Sequence, residues 1–258
     1  MRLLHTTTRN LHTFTDRTIP TYAILSHTWQ ENEVAYQDMT LAVAKKMMGY
    51  DKVEMACSVS VARGFEYVWL DTCCIDNTSS AELSEAINSM YRWYEGAEAC
   101  FAFLADVDYG APITVSQLRS STWFTRGWTL QELIAPAHVT FFDRKWQAIG
   151  TKDDLKHEIS SVTGIAVDIL LGDDIDTAST AQIMSWASKR DTTRIEGIAY
   201  YLMGLFNVNM PLLYGEGKRA FTRLQEEIMK QSDDYSLLTL GRTTSFRLEE
   251  AAAVLHSK

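Results

Sequence analysis

The sequence has no apolar run long enough to cross a membrane and no cluster of lysines and arginines. It has only four prolines among 258 residues. The first absence excludes a membrane-spanning helix. The second, with a net charge of −9, removes the basic footprint that nucleic-acid binding needs. The third, with thirteen glycines and no low-complexity linker or internal repeat, argues against strings of small domains. Met1-Arg2-Leu3-Leu4-His5 runs into threonines rather than an apolar stretch, so no secretory leader is expected. Four cysteines occur, and Cys73 and Cys74 are adjacent, a poor basis for a disulfide framework. Free thiols point to a reducing compartment, the cytoplasm.

What is present is an ordinary globular composition, 46% hydrophobic and 22% charged. Tyr22–Leu25, Tyr67–Leu70, Ala99–Leu104 and Val139–Phe142 are short apolar, β-branched or aromatic runs that predict buried strands, and Trp146–Ile149 predicts a fifth. Between them lie helical stretches. Leu41–Arg63 is one, broken near Gly49 and stopped at Gly64. Another follows the Ser79-Ser-Ala-Glu82 capping box, with Leu83, Ile87, Met90, Tyr91 and Tyr94 on one face. A third ends before Pro136. This alternation predicts an α/β core over residues 1–150, a short and mainly parallel sheet flanked by helices. Residues 151–241 read as a helical extension packed on that core. Its helices fall near Lys152–Thr163 (Thr151 as N-cap), Thr180–Ser188, Ile195–Leu205 (behind a Thr193–Glu196 capping box) and Lys218–Lys230. Residues 242–258 read as a weakly ordered tail, with a short helix over Leu248–Leu255.

Gly215-Glu-Gly-Lys218 is not a phosphate loop, because position 212 is Leu rather than Gly and position 219 is Arg rather than Ser or Thr. No cysteine or histidine spacing demands a metal, and His27, Asp71, Cys73 and Asp76 are not spaced as a ligand set. Three polar segments remain: Ser26-His27-Thr28-Trp29, Asp71-Thr-Cys-Cys-Ile-Asp76 and Arg126-Gly-Trp128-Thr-Leu-Gln-Glu132. Alone, each is as readily a core histidine, a turn acceptor or a packing aromatic. Together they follow strand ends, where open α/β sheets bind ligands, so they are expected to share one cleft.

The same segments carry a resemblance. Tyr22-Ala-Ile-Leu-Ser-His-Thr-Trp29, then Tyr67-Val-Trp-Leu-Asp-Thr-Cys-Cys-Ile-Asp76, then Trp123-Phe-Thr-Arg-Gly-Trp-Thr-Leu-Gln-Glu-Leu133, in that order, resemble the signature blocks of the fungal heterokaryon-incompatibility (HET) domain, over roughly residues 20–150. Arg194–Phe206 and Met210–Gly217 are similar to what commonly follows it. The resemblance implies a cell-death effector of nonself recognition that self-associates on activation under an upstream receptor-type regulator. The stretch Ser121–Leu133 is also similar to the Ser, Trp and downstream Glu-Leu pattern of Toll/interleukin-1 receptor-like (TIR) domains, with a longer Trp-to-Glu gap here. That similarity implies a TIR-like, flavodoxin-like core and cleavage of NAD as a substrate, with no resident cofactor. Glu132 would be catalytic; Ser26, His27, Trp29, Asp71, Arg126 and Trp128 would bind substrate. The residues leave open the rival reading, a non-enzymatic module that signals by self-assembly.

Overall fold

The structure, a computed structural model, describes residues 1–40, 43–108, 113–231 and 234. The expected tail 242–258, with its helix over Leu248–Leu255, lies outside the described residues. Seven strands form one sheet: β1 Arg2–His5, β2 Leu11–Thr13, β3 Ala23–His27, β4 Tyr67–Trp69, β5 Ala99–Phe103, β6 Val139–Phe142 and β7 Ala148–Thr151. Their order is β2-β1-β4-β3-β5-β6-β7. The central β4, β3, β5 and β6 are parallel. Both flanks are antiparallel.

The expected α/β class therefore holds, but the sheet is mixed rather than mainly parallel. The five predicted strands are present, and β1 and β2 add a hairpin at one edge. That hairpin escapes a reading for apolar runs because only Leu3 and Leu4 of β1 are buried, between polar Arg2 and His5. At the other edge only Asp143–Gln147 separates β6 from β7. A parallel crossover needs a dozen or more residues, so this connection can only turn back. The central strands are covered on both faces, which is why β3 is buried along its whole length.

Helix Tyr50–Ala62 follows a 3₁₀ turn at Ala44–Lys46. The helix is interrupted where expected, and Gly49 is required there: a Cβ would lie 2.3 Å from the Asn32 carbonyl oxygen. This helix covers one face of the sheet, with Arg63 beyond its end over the rings of Phe101 and Phe142. Helices Ser80–Glu95 and Thr129–Ile134 cover the other. There Tyr94 donates to the Leu25 carbonyl at 3.1 Å.

Three capping expectations need correction. Ser79 does accept from the Glu82 N–H, but the Glu82 carboxylate turns to the Asp76 N–H (2.8 Å) and Arg2 (2.7 Å) and so ties the helix to β1. Thr151 closes β7 and donates to Asp154, and the next helix begins only at Lys156. Thr193 accepts from Arg126, while Glu196 reaches forward to a later loop. In the first and third cases a distant partner outcompetes the local box; Thr151 keeps its reciprocal bonds with Asp154, but the turn it caps precedes the helix.

The second half holds helices Lys156–Thr163, Val167–Leu170, Thr180–Ala187, Gly197–Tyr200 and Arg219–Gln231. Ile195–Leu205 is thus shorter than its pattern suggested: a four-residue helix, then a 3₁₀ turn at Gly204–Phe206. These elements share one buried core with the sheet. Asp191 exchanges backbone hydrogen bonds with Thr125 and Gly127 at 2.7 and 2.8 Å. A Cβ on Gly127 would meet the Tyr201 ring at 2.4 Å, and one on Gly204 would meet Tyr91 Cβ at 2.3 Å. Backbones approach this closely only where a side chain is missing. Gly204→Ala is expected to lower stability by about 1–3 kcal/mol, the usual penalty of overpacking, read from denaturant melts. A chain ended at Gly150 is expected to lose cooperative melting. A sharp thermal transition from that fragment would count against a shared core.

Candidate active site

From β3 the chain winds first to β4 on one side and then crosses to β5 on the other. The winding reverses between β3 and β5, and such a reversal opens a crevice at the carboxyl ends of the strands. A cleft with about 820 Å³ of empty space, open to solvent, lies there. His27 and Trp29 enter it from the end of β3, and Asp71 from the end of β4. Arg126, Trp128 and Glu132 come from the segment after β5. Of the seven residues singled out from sequence, six line this cleft. The seventh, Ser26, lies beneath it, joined to Glu132.

Glu132 is 5% exposed. The Trp123 indole N–H donates to Ser26 Oγ at 2.8 Å, and Ser26 donates to Glu132 Oε2 at 2.5 Å. An indole nitrogen can only donate, so the single hydroxyl proton of Ser26 is free to point at the carboxyl. Burial pushes the Glu132 carboxyl up to about 8; the Ser26 hydrogen bond pulls it down, the Asp71 charge pushes it up, and Tyr94 and Arg190 pull it down. The helix carrying Glu132, Thr129–Ile134, is six residues long, too short to stand alone. Buried cations hold both its ends. Arg190 donates to the Arg126 carbonyl (2.9 Å) and Thr129 Oγ1 (2.8 Å) at the start. Lys152 donates to the carbonyls of Leu133 (3.3 Å) and Pro136 (2.6 Å) at the end. The Cys100 thiol lies 3.9 Å from the Glu132 carbonyl oxygen.

The second carboxyl behaves oppositely. Asp71 Oδ1 pairs with His27 Nε2 at 3.0 Å, and Oδ2 accepts from Trp29 Nε1 at 2.7 Å. Burial alone would raise it. The His27 ring, both side-chain hydrogen bonds and the Thr72 N–H outweigh burial and hold it below the ordinary carboxylate range. His27 is itself fixed from behind. The Lys52 ammonium, paired with Glu33, approaches His27 Nδ1 at 3.0 Å. An ammonium only donates, so Nδ1 accepts and the ring proton sits on Nε2, facing Asp71. The cleft thus holds two carboxyls pushed in opposite directions, an arrangement suited to acid–base or cation-stabilising chemistry.

Sequence reasoning missed Arg190, Lys52 and Lys152, whose roles come from burial among residues distant in the chain. It placed Leu83, Ile87 and Met90 on one helix face, and that stripe forms an apolar wall of the cleft. Thr193 and Tyr214 also line it, so the second half of the chain contributes to the site. All four cysteines are buried and unpaired.

A cleft at this position is where α/β proteins bind small molecules. Over residues 22–117 the chain matches the family described as "Heterokaryon incompatibility protein (HET)". It is 46% identical over 234 residues to the vegetative incompatibility protein HET-E-1 of Podospora anserina, covering 87% of this chain and 17% of that protein. The chain therefore spans less than a fifth of the length of that curated relative. No solved structure matches it. The family match includes His27, Trp29 and Asp71 and stops before Arg126, Trp128 and Glu132.

The raised Glu132 group has a consequence for stability. Between its ordinary value and about 8 the folded state holds a proton that the unfolded chain has released. Its stabilising contribution is complete below the unfolded value and is lost as pH rises through about 8. Glu132→Gln removes that dependence. Parent and variant melted side by side from pH 5 to 8.5 are expected to differ progressively, the parent losing ground as pH rises. A constant difference would show that the carboxyl is ionised throughout.

Proposed function

We propose that this chain is a cytoplasmic cell-death effector domain of fungal nonself recognition that hydrolyses the nicotinamide–ribose bond of NAD. The likeness to a vegetative incompatibility protein supports the biological part. The chemical part rests on one observation: a buried carboxyl, Glu132, wired through Ser26 to Trp123 at the floor of a cleft that also holds an ionised Asp71. A flavodoxin-like, TIR-like core fits the order of the four parallel strands, which is second-first-third-fourth along the chain.

In this reading nicotinamide departs as a neutral ring, taking the electron pair of its bond to ribose C1′. Water adds to C1′ and gives up a proton, leaving ADP-ribose. The transition state resembles an oxocarbenium ion, which an adjacent carboxylate stabilises. The pyridinium leaving group is already cationic, so no strong general acid is needed. Its positive charge favours ionisation of Glu132 once substrate is bound. Asp71, held by His27 and Trp29, is an acceptor for a ribose hydroxyl. Trp29 or Trp128 stacks on a ring, and Arg126 meets the pyrophosphate. No resident cofactor enters this scheme. Self-association under an upstream receptor-type regulator is part of the proposal, since clustering brings such domains together when the signal arrives.

The test is purified protein incubated with NAD, with a crowding agent, and free nicotinamide measured. Glu132→Gln is expected to cost about a hundredfold in rate, on the order of 3 kcal/mol, with the fold retained. For the parent, kcat/KM should rise with pH through about 8 and level off only above it, as Glu132 ionises in the free protein. Absence of nicotinamide under crowding, or parental activity from a folded Glu132→Gln protein, would leave the non-enzymatic assembly module as the better account.

A further inference from the structure

Tyr214 lines the cleft yet stays 39% exposed, on a loop after Met210. Five polar contacts pin that loop. Glu196 accepts from the N–H groups of both Gly215 and Gly217 at 2.9 Å. Tyr200 Oη accepts from the Leu213 N–H at 2.8 Å. Arg223 pairs with Glu216 and donates to the Pro211 carbonyl at 2.8 Å. The Arg194 guanidinium lies 4.7 Å from the centroid of the Tyr214 ring, and Tyr200 meets that ring edge-on at 5.4 Å. The glycine-rich turn that resembled a phosphate loop is thus already filled by the protein's own carboxylate. Its effect is to hold one aromatic ring at the cleft mouth.

Trp29 is also pinned at this cleft, by Asp71, with 58% of its surface exposed. A large aromatic ring held rigid and left exposed gains nothing from folding; it is pre-organised for a flat partner. Glu132 marks the deep end, being almost fully buried. An extended substrate whose reacting bond sits over Glu132 must place its far end at the mouth. Arg126 lines the same cleft, tied at 3.0 Å to Thr193 of the second half of the chain.

We propose that Tyr214 is the stacking platform for the adenine ring of an adenine dinucleotide, so that the helical extension supplies the adenosine subsite of the cleft. The proposal rests on the NAD reading above and names which part of the chain recognises which half of the substrate. Remote binding of this kind is expected to be felt mainly in KM. Loss of one stacking aromatic should weaken binding about tenfold.

Three proteins, parent, Tyr214→Ala and Tyr214→Phe, are compared in two measurements. In the first, cleavage of NAD is set against cleavage of nicotinamide mononucleotide, which lacks the adenosine half. Tyr214→Ala should erode the preference for NAD about tenfold, through KM, and Tyr214→Phe should restore it. In the second, ADP binding is measured by calorimetry, which needs no catalysis. ADP should bind the parent and Tyr214→Phe, and bind Tyr214→Ala about tenfold more weakly. That result supports the subsite even where no nicotinamide is released, which would defeat only the hydrolase reading. If ADP binds parent and Tyr214→Ala equally or not at all, or the two substrates are affected alike, the subsite is overturned, whatever the protein does to NAD.

Discussion

A carboxyl group that is removed from water must be neutral, hydrogen-bonded or both, and most of the architecture around Glu132 follows from that constraint. Ser26 supplies the hydrogen bond, and Trp123 orients Ser26. For Ser26 to serve, β3 must carry a small hydroxyl where its neighbours are apolar; it is buried in the middle of the sheet with no other reason to be polar. For Glu132 to reach it, a helix of one and a half turns must sit at a fixed height over the strand ends. Arg190 and Lys152 fix that height by binding carbonyls at its two ends. Both are buried cations whose affinity for their protons burial reduces, to about 10 and about 8. The fold tolerates two such groups because each donates to backbone oxygens at an end of that helix.

Asp71 and Glu132 stand in one cleft with opposite tendencies, and their difference comes from partners rather than depth. Asp71 accepts from an imidazole, an indole and a backbone N–H, all of which favour its charged form. At Glu132 desolvation and the Asp71 charge outweigh the Ser26 and Tyr94 hydroxyls and the Arg190 charge. Ionising Glu132 in the empty cleft places two negative charges together. Glu132 therefore holds its proton more tightly beside an ionised Asp71. The rear network through His27, Lys52 and Glu33 holds the imidazole that partners Asp71.

The legible part of this architecture is the part written in local patterns. The buried strands β3 to β6 are mostly apolar or aromatic, so they stand out, and the polar residues at and after their ends stand out by contrast. That contrast was enough to gather seven residues at one cleft. The β1–β2 hairpin was invisible because edge strands with two buried residues have no run to detect. Two predicted capping boxes were incomplete for one shared reason: the Glu82 and Glu196 carboxylates found partners elsewhere in the fold. Arg190 and Lys152 could not be found at all. An isolated basic residue in a helical stretch looks like surface, and only the carbonyls it reaches, 16 to 64 positions away, reveal otherwise.

The second half of the chain is therefore more than a support. A crevice at the carboxyl ends of a parallel sheet is open on its outer side, since the strands and their helices wall only the inner one. Closing it requires chain that comes from beyond the sheet. Here that chain pairs with the Arg126 segment through Asp191, sends Arg190 beneath Glu132 and brings Thr193 and Tyr214 to the cleft. Gly127 sits where these threads cross, its missing side chain letting Tyr201 pack against the segment that leads into Glu132. The same contacts that complete the cleft also position the buried carboxyl. A change that loosens the extension must then disturb Glu132 along with the outer wall, so docking of the extension and readiness of the site are one equilibrium rather than two.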